Sequence, residues 1–308
     1  MALMKAARLN EWGKALELED IPQPEPNDDE VLVRIHAASI NPFDAAVQAG
    51  YMAAMAATPI TLGSDYSGEV IEVGKNITGI KPGDAVYGVV VLGSGSFTEY
   101  TIPKANEIAL KPKSLDYIQA AAVPLPAMAA WISLFDKAQF KGGERILIHG
   151  VAGAVGGLAT QLAKTKGAYI YGTDLPEKAE HAAKLGVDRF IDVTKERFED
   201  VVENIDVVLD YVGGETLARS YSVLGSGGRY VTTMSLDTPQ EEPVKRGFLS
   251  TGLGAYPRAD VLAQVADLID AGKLSIFVNR TFALNEAQAA MEHRYMTKAP
   301  GKVVLKIL

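Results

Sequence analysis

The chain has 308 residues, 48% of them hydrophobic and 22% charged, which is enough apolar material for a large core divided over two domains. A formal net charge of -8 without any basic run excludes nucleic acid and anionic membrane surfaces as partners and leaves a small molecule as the expected one. Cysteine is absent, which excludes disulfides, thiol catalysis, iron–sulfur clusters and every cysteine-containing zinc site.

The apolar run before Arg8 is too short for a signal peptide, and nothing downstream approaches the ~20 apolar residues of a membrane span. The expected compartment is therefore the cytoplasm. Short β-rich runs follow at residues 31–37, 67–73, 85–91 and 97–102, separated by turn signals such as Lys81-Pro82-Gly83-Asp84. This part reads as a compact β-rich domain. Near residue 120 the texture becomes Ala-rich and helical, and from Arg145 strands alternate with helices. Strands are expected at 145–149, 169–172, 189–191, 207–210 and 229–232, with helices opening near Gly153, Pro176 and Gly214. Such alternation predicts α/β architecture with a doubly wound parallel sheet. The helix predicted over 176–185 carries Pro at its start and Gly186 just past its end. After an amphipathic segment at 261–271, the tail 277–308 returns to short strands and a helix over 286–295, and is expected to fold back onto the first domain. The predicted division is 1–118 with the return 273–308 for the first domain, and 119–272 for the second.

The strand at 145–149 runs into Gly150-Val151-Ala152-Gly153-Ala154-Val155-Gly156-Gly157 and then directly into a helix. A phosphate approaches a backbone only where side chains are missing, and the unpaired N–H groups at a helix start bind anions. Gly150, Gly153 and Gly156 are thus expected to supply the tight turn, the approach to a pyrophosphate and the packing of helix on sheet, with Ala152, Ala154 and Val155 lining the same loop. The second strand ends at Thr173-Asp174, placing a carboxylate about 20 residues beyond the loop, where a ribose hydroxyl is bound in dinucleotide sites. Asp174 therefore favours NAD(H). NADP(H) requires a cation such as Lys178 to offset the like charge. The other reading of Asp174 is an N-cap for the helix opening at Pro176.

Asn41-Pro42-Phe43-Asp44, Gly63-Ser64-Asp65-Tyr66-Ser67-Gly68, Lys81-Pro82-Gly83-Asp84, the glycine loop and Asp210-Tyr211-Val212-Gly213-Gly214 together resemble, in order, the blocks of medium-chain dehydrogenases/reductases. The likeness spans nearly the whole chain. It implies a GroES-like catalytic domain, a Rossmann domain, and an active site in the cleft between them to which Val212 and Gly213 contribute on the cofactor side. Zinc-dependent members place a cysteine where Asn41 stands and Gly-His-Glu where this chain has Gly63-Ser64-Asp65. Without those ligands no zinc is expected, and hydride transfer must rely on positioning and hydrogen bonds. Quinones and α,β-unsaturated carbonyls suit that chemistry.

In the resembling quinone oxidoreductases, Asn41 and Asp44 lie beside the nicotinamide and Tyr51 lines the substrate pocket. The resemblance thus implies catalytic roles for Asn41, Asp44 and Tyr51, and Phe43, Tyr51 and Met52 or Met55 are expected to supply apolar surface for a flat conjugated ring. Local readings stand beside these: Asn41-Pro42 is turn chemistry, Asp44 is a cap for a helix over 45–49, and Tyr51 is a packed aromatic. A homodimer is also implied, through an edge strand in the stretch 245–254. The competing function on the same fold is a non-catalytic NAD(P)H-binding sensor or structural protein.

Overall fold

A computed structural model describes every residue except Met1, Val91, Gly93, Leu253 and Lys298. The chain divides into two compact units, one comprising Met1–Leu125, Tyr256–Gly272 and Ile276–Leu308, the other Pro126–Ala255 and Lys273–Ser275.

The first unit is built around the strand Val31–Ser39. Its β-branched residues suit a pleated, buried position: Val31, Val33 and Ile35 pack with Tyr66, Val70, Val86 and Ile108. Ala37 packs instead with Ala121, Ala122 and Val304. On one side this strand pairs antiparallel with Asp65–Val73, and on the other with the C-terminal strand Lys302–Lys306. The strand found at Ala85–Val89 is shorter than expected, and Val91 lies outside the described residues. Of the run at 97–102, only Tyr100–Thr101 is strand. A second sheet joins Glu17–Pro22, Leu3–Leu9 and Ile60–Thr61, a feature the sequence reading passed over. Lys5, Arg8 and two alanines interrupt the first of these strands, so it carries little of the usual strand signature.

The segment Tyr256–Gly272 belongs to this unit, although its sequence position had suggested the other. The reason is specific bonding. Tyr87 donates its hydroxyl to the Leu262 carbonyl at 2.6 Å, and Asp270 accepts the Ser114 amide at 2.9 Å.

The second unit is the expected Rossmann arrangement. Its strands run parallel in the order Arg189–Asp192, Tyr169–Asp174, Arg145–His149, Ile205–Asp210, Leu224–Thr232, Leu249–Gly252, the doubly wound order with the first strand central. The helix expected over 176–185 begins as a tight turn, Pro176–Lys178, and continues as Ala179–Lys184. Gly186, at φ 93°, lets the chain leave it. Among the described residues, no helix is long and apolar enough to cross a membrane.

Candidate functional site

Asn41 stands at the N-terminus of the helix Pro42–Gln48, one turn earlier than the helix expected over 45–49. Proline at the first helical position fits the fixed backbone angle needed there. Asp44 falls in the first turn and accepts the Asn41 backbone N–H at 2.7 Å, which closes the turn. Its other oxygen takes the Ser64 hydroxyl at 3.2 Å. Burial pushes the Asp44 carboxyl up to about 7, against the Asn41 N–H and the charge of Lys302, which both pull it down.

Around Asn41 lies a buried polar cluster drawn from three distant stretches of chain. Asp65, fully buried, accepts the Ser39 hydroxyl at 2.8 Å, the Asn41 Nδ2 at 2.9 Å and the Leu125 backbone N–H at 2.6 Å. The Lys302 ammonium donates to the Ile40 carbonyl at 2.9 Å and to Asn41 Oδ1 at 2.6 Å, and stands 3.3 Å from Asp65. Burial draws the Lys302 ammonium below the ordinary lysine range, and the charges of Asp65 and Asp44 draw it back up. Lys302 and Asp65 were not singled out as functional residues in the sequence. The available signal was a lysine directly before the apolar run Val303-Val304-Leu305, since lysine is almost never fully buried without a partner.

Tyr51 is not part of this cluster. It follows Gly50, whose φ of 89° turns the chain outward, and it is 78% exposed. Phe43 and Met55 are exposed as well, whereas Met52 packs against the core. At that exposure Tyr51 has no packed-aromatic role.

In the second unit, Gly153 is the N-cap of the helix Ala154–Lys164, and Gly150 has φ 74°. A Cβ on Gly156 would lie 2.3 Å from the Gly150 carbonyl oxygen, and one on Gly172 would lie 2.6 Å from Val151. Glycine is thus required for helix and strand to close on one another. The first N–H groups of the helix, beginning at Ala154 and Val155, have no partner within it. A glycine-rich loop between the central strand Arg145–His149 and a helix N-terminus fits a dinucleotide pyrophosphate.

The remaining cofactor-side residues are placed as follows. Asp174 accepts the Ala152 N–H at 3.1 Å and the Leu175 N–H at 2.9 Å, and pairs with Lys178 at 3.2 Å. The N-cap of the following turn is Leu175, not Asp174. Thr173 points inward, its hydroxyl 2.8 Å from His149 Nδ1. The Val212 and Gly213 backbone N–H groups both donate to Asp210 at 2.9 Å, which leaves the Val212 side chain, 52% exposed, as the part of that turn open to a ligand. His149 is a packed residue: burial lowers it to about 4, so it is neutral. Ser220 spends its hydroxyl hydrogen on the Thr216 carbonyl, so His149 Nε2 is assigned the proton.

No group of three or more His, Asp or Glu side chains suited to a metal ion occurs among the described residues. At the positions where zinc-dependent relatives carry ligands, this chain has the amide of Asn41 and the hydroxyl of Ser64, both held in the hydrogen bonds above.

Two family models match the chain: the alcohol dehydrogenase GroES-like domain over residues 27–113 and the zinc-binding dehydrogenase over residues 185–305. The chain is 35% identical to a 2-methylene-furan-3-one reductase of Solanum lycopersicum, with 98% of this chain and 79% of that protein covered. It is equally 35% identical to an NADPH-dependent alkenal/one oxidoreductase, chloroplastic, of Arabidopsis thaliana, with 98% and 79% covered. The solved structure of a quinone oxidoreductase from Coxiella burnetii superimposes with a TM-score of 0.92 at 31% identity, covering 100% of both chains.

Proposed function

Because this chain belongs to the medium-chain dehydrogenase/reductase family, in its quinone oxidoreductase-like branch, and is an NAD(P)H-dependent oxidoreductase, we propose that it reduces quinones or α,β-unsaturated carbonyls. The observation that carries this reading is the Asn41 cluster. Where a Lewis acid would polarise a simple carbonyl, the chain offers an amide, a hydroxyl and a buried ammonium. Of these the Asn41 amide is the donor to a developing oxyanion, since the Ser64 hydroxyl is held by Asp44 and the Lys302 ammonium by Ile40, Asn41 and Asp65, and hydrogen-bond stabilisation suffices for conjugated acceptors.

The glycine loop Gly150–Gly156, the turn at Val212 and the Thr173-Asp174 strand end would hold the dinucleotide, which when bound supplies the hydride. Hydride addition to the conjugated carbon moves the electron pair onto the acceptor oxygen, leaving an enolate or hydroquinone anion that a proton from solvent converts to the saturated carbonyl or the hydroquinone. Asn41 donates to that oxygen, Asp44 holds the Asn41 backbone, and the exposed phenol of Tyr51 stands as hydrogen-bond donor or pocket wall. NAD(H) is the proposed cofactor on the strength of Asp174, with NADP(H) the alternative. Zinc is not part of the proposal, and elemental analysis of the purified protein checks that point. A homodimer in the cytoplasm completes the reading, supported by the unpaired edge at Leu249–Gly252 and by an acidic chain lacking cysteine. The test is steady-state oxidation of NADH and NADPH against a panel of small quinones and enones, with saturated ketones as negative controls.

A further inference from the structure

Lys302 is a lysine with 5% of its side chain exposed, and all three of its ammonium hydrogens are directed at acceptors: Ile40 O, Asn41 Oδ1 and Asp65 Oδ2. Buried ion pairs are seldom the most stabilising way to fill a core, because desolvation of both charges offsets their attraction. The arrangement around Asn41 gives this pair a task. With an ammonium against Oδ1 and the Asp65 carboxylate against Nδ2, only one orientation of the amide is satisfied; the flipped amide would set its NH2 against the ammonium and its oxygen against the carboxylate. One Nδ2 hydrogen is committed to Asp65 at 2.9 Å. Among the described residues, the other meets only the Ser39 carbonyl at 3.4 Å, a weak contact that a better acceptor displaces.

We propose that Lys302 is a positioning residue of the reductase site, whose ammonium fixes the Asn41 amide in one orientation and polarises it, so that the second Nδ2 hydrogen is presented to the acceptor oxygen. This rests on the reductase reading above. A charge-assisted bond at an amide oxygen draws electron density from the nitrogen and strengthens the N–H as a donor, so the effect is felt most when negative charge builds on the acceptor. No proton moves through Lys302 in this scheme.

The test combines kinetics with a structure that does not depend on turnover. Lys302→Met is expected to lower kcat by roughly tenfold to a hundredfold, less than the roughly hundredfold to thousandfold for a lost oxyanion donor because the donor itself remains, while NAD(P)H affinity by fluorescence titration stays within about twofold, since the cofactor loop lies on the other unit. Lys302→Arg, which keeps the charge, should restore most of the rate. Asn41→Ala and Lys302→Met should be non-additive, the double variant being no slower than Asn41→Ala alone, because one acts through the other. A crystal structure of Lys302→Met should show the Asn41 amide flipped or released from Asp65. Wild-type kcat in folded Lys302→Met, multiplicative losses in the double variant, or an unmoved Asn41 amide would each overturn the proposal. If Lys302→Met does not fold, Lys302→Met/Asp65→Leu removes both charges together: a folded but slow enzyme supports the proposal, a wild-type rate overturns it, and failure of both variants to fold reduces Lys302 to a core ion pair and also overturns it. An inactive wild type against every acceptor refutes the reductase reading instead, and is told apart by that.

Discussion

Asp174, at the end of a strand, and Lys178, in the turn that follows it, form an ion pair at 3.2 Å in which the carboxylate is almost wholly enclosed. The second Asp174 oxygen takes the Ala152 N–H of the glycine loop, so the carboxylate ties the end of one strand to that loop. NADH is expected to be used with higher kcat/KM than NADPH, against the NADPH dependence in the name of the Arabidopsis relative. Asp174→Ser frees Lys178 and removes the like charge, and should relax or reverse the preference. Unchanged selectivity would mean that the carboxylate serves only to fasten the strand end to the loop.

Stability should respond to pH through two buried groups of opposite sign. His149, held down to about 4 against an ordinary 6.5, contributes stability that is present above 6.5 and lost as pH falls through 4. A shift of that size corresponds to roughly 3 kcal/mol at most. Asp44, raised to about 7, does the reverse: its contribution is full below the ordinary aspartate value and lost as pH rises through 7. His149→Gln should therefore flatten the acid side of a melting-temperature profile, and Asp44→Asn the side approaching neutrality. Parallel profiles for wild type and either variant would contradict the corresponding assignment.

The strand Leu249–Gly252 closes one edge of the parallel sheet, and its first residue is 47% exposed. An unprotected edge invites a twin across a two-fold axis. Light scattering at micromolar concentration should give the mass of a dimer, and Leu249→Lys should shift it toward monomer. A wild-type monomer would refute this assembly. Leu253, at the far end of the implicated stretch, lies outside the described residues.

Tyr51→Phe separates two roles for an exposed phenol. Loss of a transition-state donor lowers kcat by roughly tenfold to a thousandfold without altering cofactor affinity, whereas loss of a wall changes chiefly the apparent KM.

The parts of this molecule that were legible in sequence are those dictated locally. Gly150 and Gly156 announce the loop, the first by its positive φ and the second by the close approach that a Cβ would block, and the strand Arg145–His149 falls where its apolar run places it. Asp44 was legible as a residue of a helix start because its carboxylate acts within its own turn, but the N-cap is Asn41 and Asp44 closes the turn from inside the helix Pro42–Gln48. Lys302 was not, since its contact with Asn41 exists only after Lys302–Lys306 pairs with Val31–Ser39, and nothing in either stretch alone records that register. Asp65 was obscured for the same reason: its partners are Ser39, Asn41 and Leu125, none of them neighbours in the chain.

The most direct measurement is the initial rate of NADH and NADPH oxidation by the purified protein with small quinones and enones, set beside saturated ketones and aldehydes of similar size. Turnover confined to the conjugated acceptors, unaffected by chelators and reduced by Asn41→Ala, is the expected result. Saturable NAD(P)H binding without turnover on any of them would contradict the enzyme assignment and favour a nucleotide-binding sensor or structural role, and chelator-sensitive reduction of saturated carbonyls would contradict the metal-free chemistry at Asn41.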